Sequence, residues 1–351
     1  MTTFPQDHPA MRLFEQLLVP SPSGGEEQVA AVVRENLDEL GYTHETDGAG
    51  NLLVRLPGLN PQAPLCCLAS HMDEIGMTVS RIHANGDLAV VRSGGLYPWK
   101  IGEGPLDILG DYETITGVLS MGSTHIADPY AQGIRWDAVR VITGLSPAQL
   151  KQAGVRAGTH LLPPRDRRGP VFFGDPDDPL VAAWTFDDRM GVVALLRLLE
   201  RIKTDQLQPH HPTLIAFTVH EENGGNGAKA LAQREQPEIF IAVDGAPIPP
   251  ETDLTLDGRP AIWSKDRRGH YDQRLLRDFL KLAQQAGTEL QTAVYDSAAS
   301  DASLVWYAGG TLRAACIGHV RENSHGYEVA RLSVFDRMLD VLVEFIQHWE
   351  G

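Results

Sequence analysis

The chain of 351 residues has little of three things, and each shortage excludes something. Cysteine is scarce: there are three, two of them adjacent at Cys66 and Cys67 inside an apolar run, which rules out a disulfide framework and points to buried thiols in a reducing compartment. Positive charge is also short. Lys and Arg number 30 against 46 Asp and Glu, leaving −16 at pH 7 and a pI near 5.2. A phosphate backbone needs clustered cations, so nucleic acid is excluded as a partner, and the acidic surface serves mainly solubility. Long apolar runs are missing too: none approaches the ~20 residues of a membrane span, and the polar start Met1 to Ala10 lacks a signal-peptide pattern. The expectation is a cytoplasmic protein with no membrane partner.

Several catalytic signatures are absent as well. There is no Gly-x-Ser-x-Gly elbow for serine chemistry. The Gly-rich stretch Gly224 to Gly227 has no Lys-Ser/Thr behind it and reads as a turn, not a phosphate loop. His220-Glu221 begins like a zincin helix, but the position of the second His is Gly224. No internal repeat or low-complexity tract occurs.

What is present is an alternation of apolar strands and amphipathic helices. Val29, Val32, Val33, Leu37 and Leu40 repeat at helical spacing, and Gly41 closes that helix. Asn51 to Leu56 and Leu65 to Ala69 read as strands, the second unalternating and therefore buried on both faces. Further strands are expected at Leu214 to Val219, Ile239 to Val243 and Leu312 to Ile317, with helices after Asp187, near Ala228 to Gln233, at Asp272 to Ala286 and at the end. This pattern predicts an α/β fold: a mixed, largely parallel sheet flanked by helices. Residues 78–179 differ in texture, with short β-rich pieces such as Val171 to Phe173 among many Gly and Pro, and are expected to form an inserted second domain; 1–77 and 180–351 would form the first. One helix is signalled in the insert by Ser146-Pro147-Ala148-Gln149, a capping box with Pro at the first helical position.

Polar residues gather where the strands end: His71 and Asp73, Asp187 and Asp188, Glu221 and Glu222, Asp244, and His325 before the last helix. An open α/β sheet places its chemistry at the carboxyl ends of its strands. Taken singly, each of these is most simply a solvated loop residue or a helix cap. Together they form a mixed nitrogen and oxygen set, which suits Zn²⁺, Co²⁺ or Mn²⁺ better than Ca²⁺. A carboxylate shared between two ions ~3.5–4 Å apart makes a co-catalytic pair, which still needs a base to carry the proton of the attacking water. The residues alone leave Asp187 and Asp188 equivalent.

Nearly the whole chain resembles the M42 aminopeptidases. The likeness is carried by Gly50-Asn51-Leu52, Ala69-Ser70-His71-Met72-Asp73-Glu74-Ile75-Gly76, Phe186-Asp187-Asp188-Arg189-Met190-Gly191, His220-Glu221-Glu222, Ala242-Val243-Asp244 and Ser324-His325. The resemblance implies a zinc-exopeptidase-like main domain and a PDZ-like, dimerising insert. It implies two divalent ions per subunit, Zn²⁺ or Co²⁺ with Mn²⁺ as a further candidate, held by His71, Asp187, Glu222, Asp244 and His325. His71 and His325 would each serve one ion and Asp187 would bridge. Glu221 would be the general base and acid, and Asp73 would orient His71. The partner would be a peptide substrate, and the subunits would pair and assemble toward a dodecamer. Departures from the family pattern occur at Asn223-Gly224-Gly225-Asn226-Gly227, at Val141-Ile142-Thr143-Gly144 and at Ser297-Ala298-Ala299-Ser300-Asp301-Ala302; none touches an implied ligand.

The function expected is therefore removal of amino-terminal residues from peptides. A di-metal amidohydrolase of small N-acyl amino acids would share the ion pair and the base, but the His71 motif and the β-rich insert favour the peptidase. A non-catalytic assembly protein would have no need of Glu221. Glycosidase chemistry, which needs two facing carboxyls, has no call for His71 and His325. Either two-carboxyl use meets one difficulty: neighbours in a strand point to opposite faces, so Glu221 and Glu222 must leave strand geometry to serve one site.

Overall fold

The computed structural model describes residues 4–5, 7–123, 134–250 and 252–351. Among them, twelve strands make one large sheet and six close a barrel. At the centre of the large sheet, Thr213–Thr218, Cys66–His71, Ile239–Pro247 and Arg313–Glu322 lie side by side and parallel. Antiparallel strands extend both edges: Leu52–Leu56 and His44–Thr46 on one side, Tyr327–Arg331, Leu180–Trp184 and Val171–Phe173 on the other.

Why the central strands read as unbroken apolar runs is visible in Cys66–His71. Cys66 and Leu68 pack into one core with helices Glu27–Leu40, Phe186–Thr204 and Ser333–His348, while Cys67 and Ala69 pack into a second core on the opposite face with Asn226–Glu235 and Asp301–Tyr307. Successive side chains alternate faces, and here both faces are covered. All three cysteines are free and buried, and no helix of the described residues is long and apolar enough to cross a membrane.

The barrel runs Gly76–Ile82, Leu88–Ser93, Arg140–Ile142, Thr114–Ser120, Gly104–Leu109 and His160–Leu162, closed around a third core that includes Met77, Leu106, Leu119, Val141 and Leu161. The capping box at Ser146 and Gln149 forms and starts helix Pro147–Gln152. Residues 124–133, which the sequence reading placed in the insert, lie outside the described residues. Val171–Phe173 is a strand, but it pairs with Leu180–Trp184 in the large sheet and takes no part in the barrel.

Glu74 joins the two sheets. It is fully buried just after Cys66–His71 and accepts from Arg168 Nη1 at 2.9 Å, Trp184 Nε1 at 3.0 Å, Arg189 Nη2 at 3.4 Å and the Ser21 backbone N–H at 2.9 Å. Arg168, on the chain's return from the barrel, is itself 1% exposed, so this is a charge network kept from water, in which Arg168 donates through Nη1 to Glu74 and through Nε to the Pro163 carbonyl.

Candidate metal centre

The parallel register sets the site. Thr218 stands beside His71, so Thr213–Thr218 and Cys66–His71 end together. His71 is the last residue of its strand, and Asp73 follows it. The His71 ring turns Nδ1 toward the Asp73 carbonyl at 3.1 Å and its Oδ1 at 3.5 Å, and Nε2 toward Asp187 Oδ1 at 3.2 Å. A neutral His71 that directs Nδ1–H at Asp73 would offer its Nε2 lone pair to a cation in the site.

After Thr218 the strand gives way to a turn. His220 has φ +60, its N–H donates to Glu26 Oε1 at 3.1 Å, and the Gly225 N–H returns to the His220 carbonyl at 2.8 Å. Glu221 and Glu222 sit within this turn, and Asp73 receives both of their backbone N–H groups, at 2.9 Å on Oδ1 and 3.2 Å on Oδ2. Ser23 Oγ donates to the same carboxylate at 2.6 Å. The difficulty posed by neighbours in a strand is thereby removed: the two glutamates are not in a strand.

The two aspartates before helix Phe186–Thr204 part company. Their peptide bond is cis, and neither has helical backbone angles. Asp188 is fully buried and occupied by the protein: it accepts from Ser70 Oγ at 2.6 Å, the Gly191 N–H at 3.0 Å and the His71 N–H at 3.3 Å. Asp187 faces the site, with Oδ1 toward His71 and Oδ2 3.4 Å from His325 Nε2. His325 lies in the loop after Arg313–Glu322, at φ +59, with Nδ1 3.3 Å from the Gly95 carbonyl. Gly95 must be glycine, because a Cβ there would stand 2.4 Å from His325 Nδ1.

These placements yield two clusters in which every ligand atom lies within 4.8 Å of the others: His71, Asp187 and Asp244, and Asp187, Glu222 and His325. Asp187 is common to both. Glu222 Oε1 is buried with no hydrogen-bond partner, although His325 Nε2 is 3.7 Å away. An orphaned buried carboxylate oxygen between imidazole and carboxylates fits a cation site, and the donors match a borderline-soft divalent ion.

The electrostatics of the crowded acids agree with that. Burial, with Asp187 nearby, pushes Asp244 up to about 6. Burial lifts Glu222 to about 7 against the pull of His325, and lifts Glu221 well above the usual carboxylate range. The imidazoles go the other way. Burial would lower them, but Glu222 and Asp187 raise His325 to about 10, and Asp187 and Asp73 hold His71 well above its ordinary value. The pocket wants positive charge.

Four residues that the sequence reading passed over complete the site. Arg321 is 1% exposed; its Nη2 donates to Asp187 Oδ2 and its Nε to Glu328 Oε1 at 2.7 Å. Glu328 in turn accepts the Asp187 N–H at 2.9 Å and the His325 N–H at 3.3 Å. Gly245 makes room for that guanidinium, since a Cβ there would overlap Arg321 Nη1. Asp301, buried and raised to about 7 by its burial, accepts from Thr218 Oγ1 at 2.6 Å. Opposite charges at 321 and 328, on two strands of the large sheet, were the available signal.

The site opens into a cavity of 680 Å³ whose walls include Tyr97, Trp263, Tyr295 and residues 297–299. That is the size of a small-ligand pocket, about 300–1,000 Å³.

Comparison with known proteins places these features. A family model described as M42 glutamyl aminopeptidase matches residues 50–341. The chain is 27% identical over 343 residues to a glutamyl aminopeptidase of Lactococcus lactis subsp. cremoris, covering 91% of each. Among solved structures it is similar to a TET aminopeptidase from a marine sediment Thaumarchaeota archaeon, with TM-score 0.86 at 20% identity over 97% of this chain and 96% of that one. It is also similar to the Pyrococcus horikoshii TET1 peptidase, which can assemble into a tetrahedron or a large octahedral shell, with TM-score 0.84 at 22% identity over 97% of this chain and all of that one.

Proposed function

The chain belongs to the M42 glutamyl aminopeptidase family and is a peptide hydrolase, and from that premise we propose that it is a co-catalytic di-metal aminopeptidase whose general base is Glu221. The observation that carries this reading is the pair of ligand clusters sharing Asp187. His71 and Asp244 would hold one divalent ion, Glu222 and His325 the other, and Asp187 would bridge. The full employment of the Asp188 oxygens on Ser70, His71 and Gly191 supports Asp187 in that role. An ion pair so held supplies Lewis acidity toward a carbonyl and makes water a nucleophile near neutral pH.

The chain's own residues do the rest. Asp73 fixes the His71 tautomer and pins the Glu221 and Glu222 backbone in one turn. Arg321 and Glu328 hold Asp187 and His325 from the far side. Glu221 has no part in either ligand cluster and stands next to one of their members, placed to take the proton of the attacking water and pass it to the leaving amine. Its raised proton affinity, caused mainly by burial, suits a group that must hold that proton briefly.

Zn²⁺, Co²⁺ and Mn²⁺ are the proposed ions. The barrel, with the chain that leads into and out of it, is proposed as an inserted assembly domain through which subunits associate; the TET1 relative can assemble into a tetrahedron or a large octahedral shell. Chelation followed by readdition of each ion, with release of amino acid followed over a panel of aminoacyl amides, tests the activity. Restored release supports the reading; silence over the panel with turnover of N-acyl amino acids would replace it with an amidohydrolase.

A further inference from the structure

The cavity over the site carries three guanidiniums that the hydrolysis itself does not use. Arg92 comes from the barrel strand Leu88–Ser93, and Arg267 and Arg268 from the turn between Ala261–Asp266 and Gly269–His270 across the cavity. Among the described residues none of the three has a carboxylate within 4.0 Å, in contrast to Arg321 on the same wall.

Aromatic rings, not acids, hold two of them. Arg92 lies 5.8 Å from the Tyr97 ring centroid and Arg268 5.0 Å from that of Tyr307, contacts that fix a guanidinium without neutralising it. The Arg268 Nε–H is buried and has no hydrogen-bond partner, a costly state for a charged donor unless an acceptor arrives. The Arg267 N–H donates to the Ala298 carbonyl at 3.0 Å, which ties this turn to the 297–299 wall.

Depth indicates what that acceptor is. Asp244 is buried and Glu222 nearly so, whereas Arg92 and Arg267 are exposed, so the arginines stand at the rim and the ligand clusters at the floor. An aminopeptidase cleaves next to the substrate's first residue, so the rest of a peptide runs outward from the floor. Each further extended residue carries the chain ~3.3–3.6 Å outward, toward the rim. We infer that Arg92, Arg267 and Arg268 form a carboxylate-binding rim that captures the free C-terminus of di- and tripeptides, making short peptides the preferred substrates. Guanidinium matches carboxylate geometry through paired N–H donors. This inference rests on the aminopeptidase reading of the floor.

The test is calorimetric and does not depend on turnover. The metal-loaded Glu221→Gln chain is titrated with Ala-Ala-Ala, with its C-terminal amide, and with Glu-Ala-Ala amide. The free acid is expected to bind at least roughly tenfold more tightly than its amide, the scale of one charge-assisted hydrogen bond. The combined Arg92→Met, Arg267→Met and Arg268→Met variant should lose that advantage while its thermal unfolding stays unchanged. Equal binding of acid and amide, or an advantage that survives the triple change, overturns the rim. A gain that follows the Glu side chain of the amide, and not the C-terminus, overturns the short-peptide assignment. The functional reading fails separately, through wild-type chain that releases nothing from any aminoacyl amide.

Discussion

Asp73 Oδ1 accepts the backbone N–H of Glu221 at 2.9 Å, so the residue that holds the His71 ring also sets the position of Glu221. With its second oxygen on the Glu222 N–H, the same carboxylate ties the end of Cys66–His71 to the turn after Thr213–Thr218. Asp73→Asn keeps the shape but turns one acceptor into a donor that faces N–H groups. Turnover should fall by about 10–100-fold, the usual effect of changing a carboxylate behind a metal-binding His. Metal affinity measured by competition with a chelator should fall with it. Unchanged affinity and turnover would remove Asp73 from the site.

The two aspartates at 187 and 188 give opposite predictions. Asp187→Ala should weaken both ions together, read as metal content after dialysis. Asp188→Asn should leave two ions bound more loosely and chiefly lower stability, because it disturbs bonds to Ser70, Gly191 and His71. Loss of a single ion from Asp187→Ala would make the bridge a different residue.

Glu74 belongs to the fold and not to the chemistry. Removing its charge leaves Arg168 and Arg189 buried together, and breaking a buried ion pair of this kind costs about 3–5 kcal/mol. Glu74→Gln should therefore lower the midpoint of guanidinium unfolding strongly, with turnover per folded molecule little changed.

His319 makes stability sensitive to acid. Burial pulls its imidazole down to about 3, aided by Arg321 and opposed by the hydrogen bond to the Asp244 carbonyl. The unfolded chain, with a His near 6.5, then binds the extra proton first. The contribution of His319 is fully present above about 6.5 and is lost as pH falls toward about 3. His319→Gln should flatten the fall in unfolding free energy between pH 7 and 4 relative to wild type. Parallel curves would show that this ring takes up its proton at the same pH in both states.

Much of this site was legible before any coordinates because its residues interrupt apolar strands. His71, Glu221, Glu222 and Asp244 stand where a buried run turns polar, and that break is local. What was not legible depends on partners distant in the chain. Gly95 comes from the barrel side, 230 positions from His325, and no local pattern announces that contact. Arg321 and Glu328 pair across a loop excursion whose path their spacing does not reveal. Val171–Phe173 was readable as a strand, yet its sheet is decided by pairing with Leu180–Trp184, and an edge strand's composition does not name its neighbour. The Asn-Gly-Gly-Asn-Gly stretch reads in sequence only as a turn; Asp73, just past the end of another strand, is what braces its approach.

The central claim is that Glu221 moves a proton while its neighbour Glu222 holds a metal. Glu221→Gln, compared with wild type for metal content and for turnover of an aminoacyl amide in the same preparation, tests it most directly. The account predicts two ions bound as in wild type and turnover lowered by about 10²–10⁴-fold. Turnover within a few-fold of wild type, or loss of an ion along with activity, would contradict it.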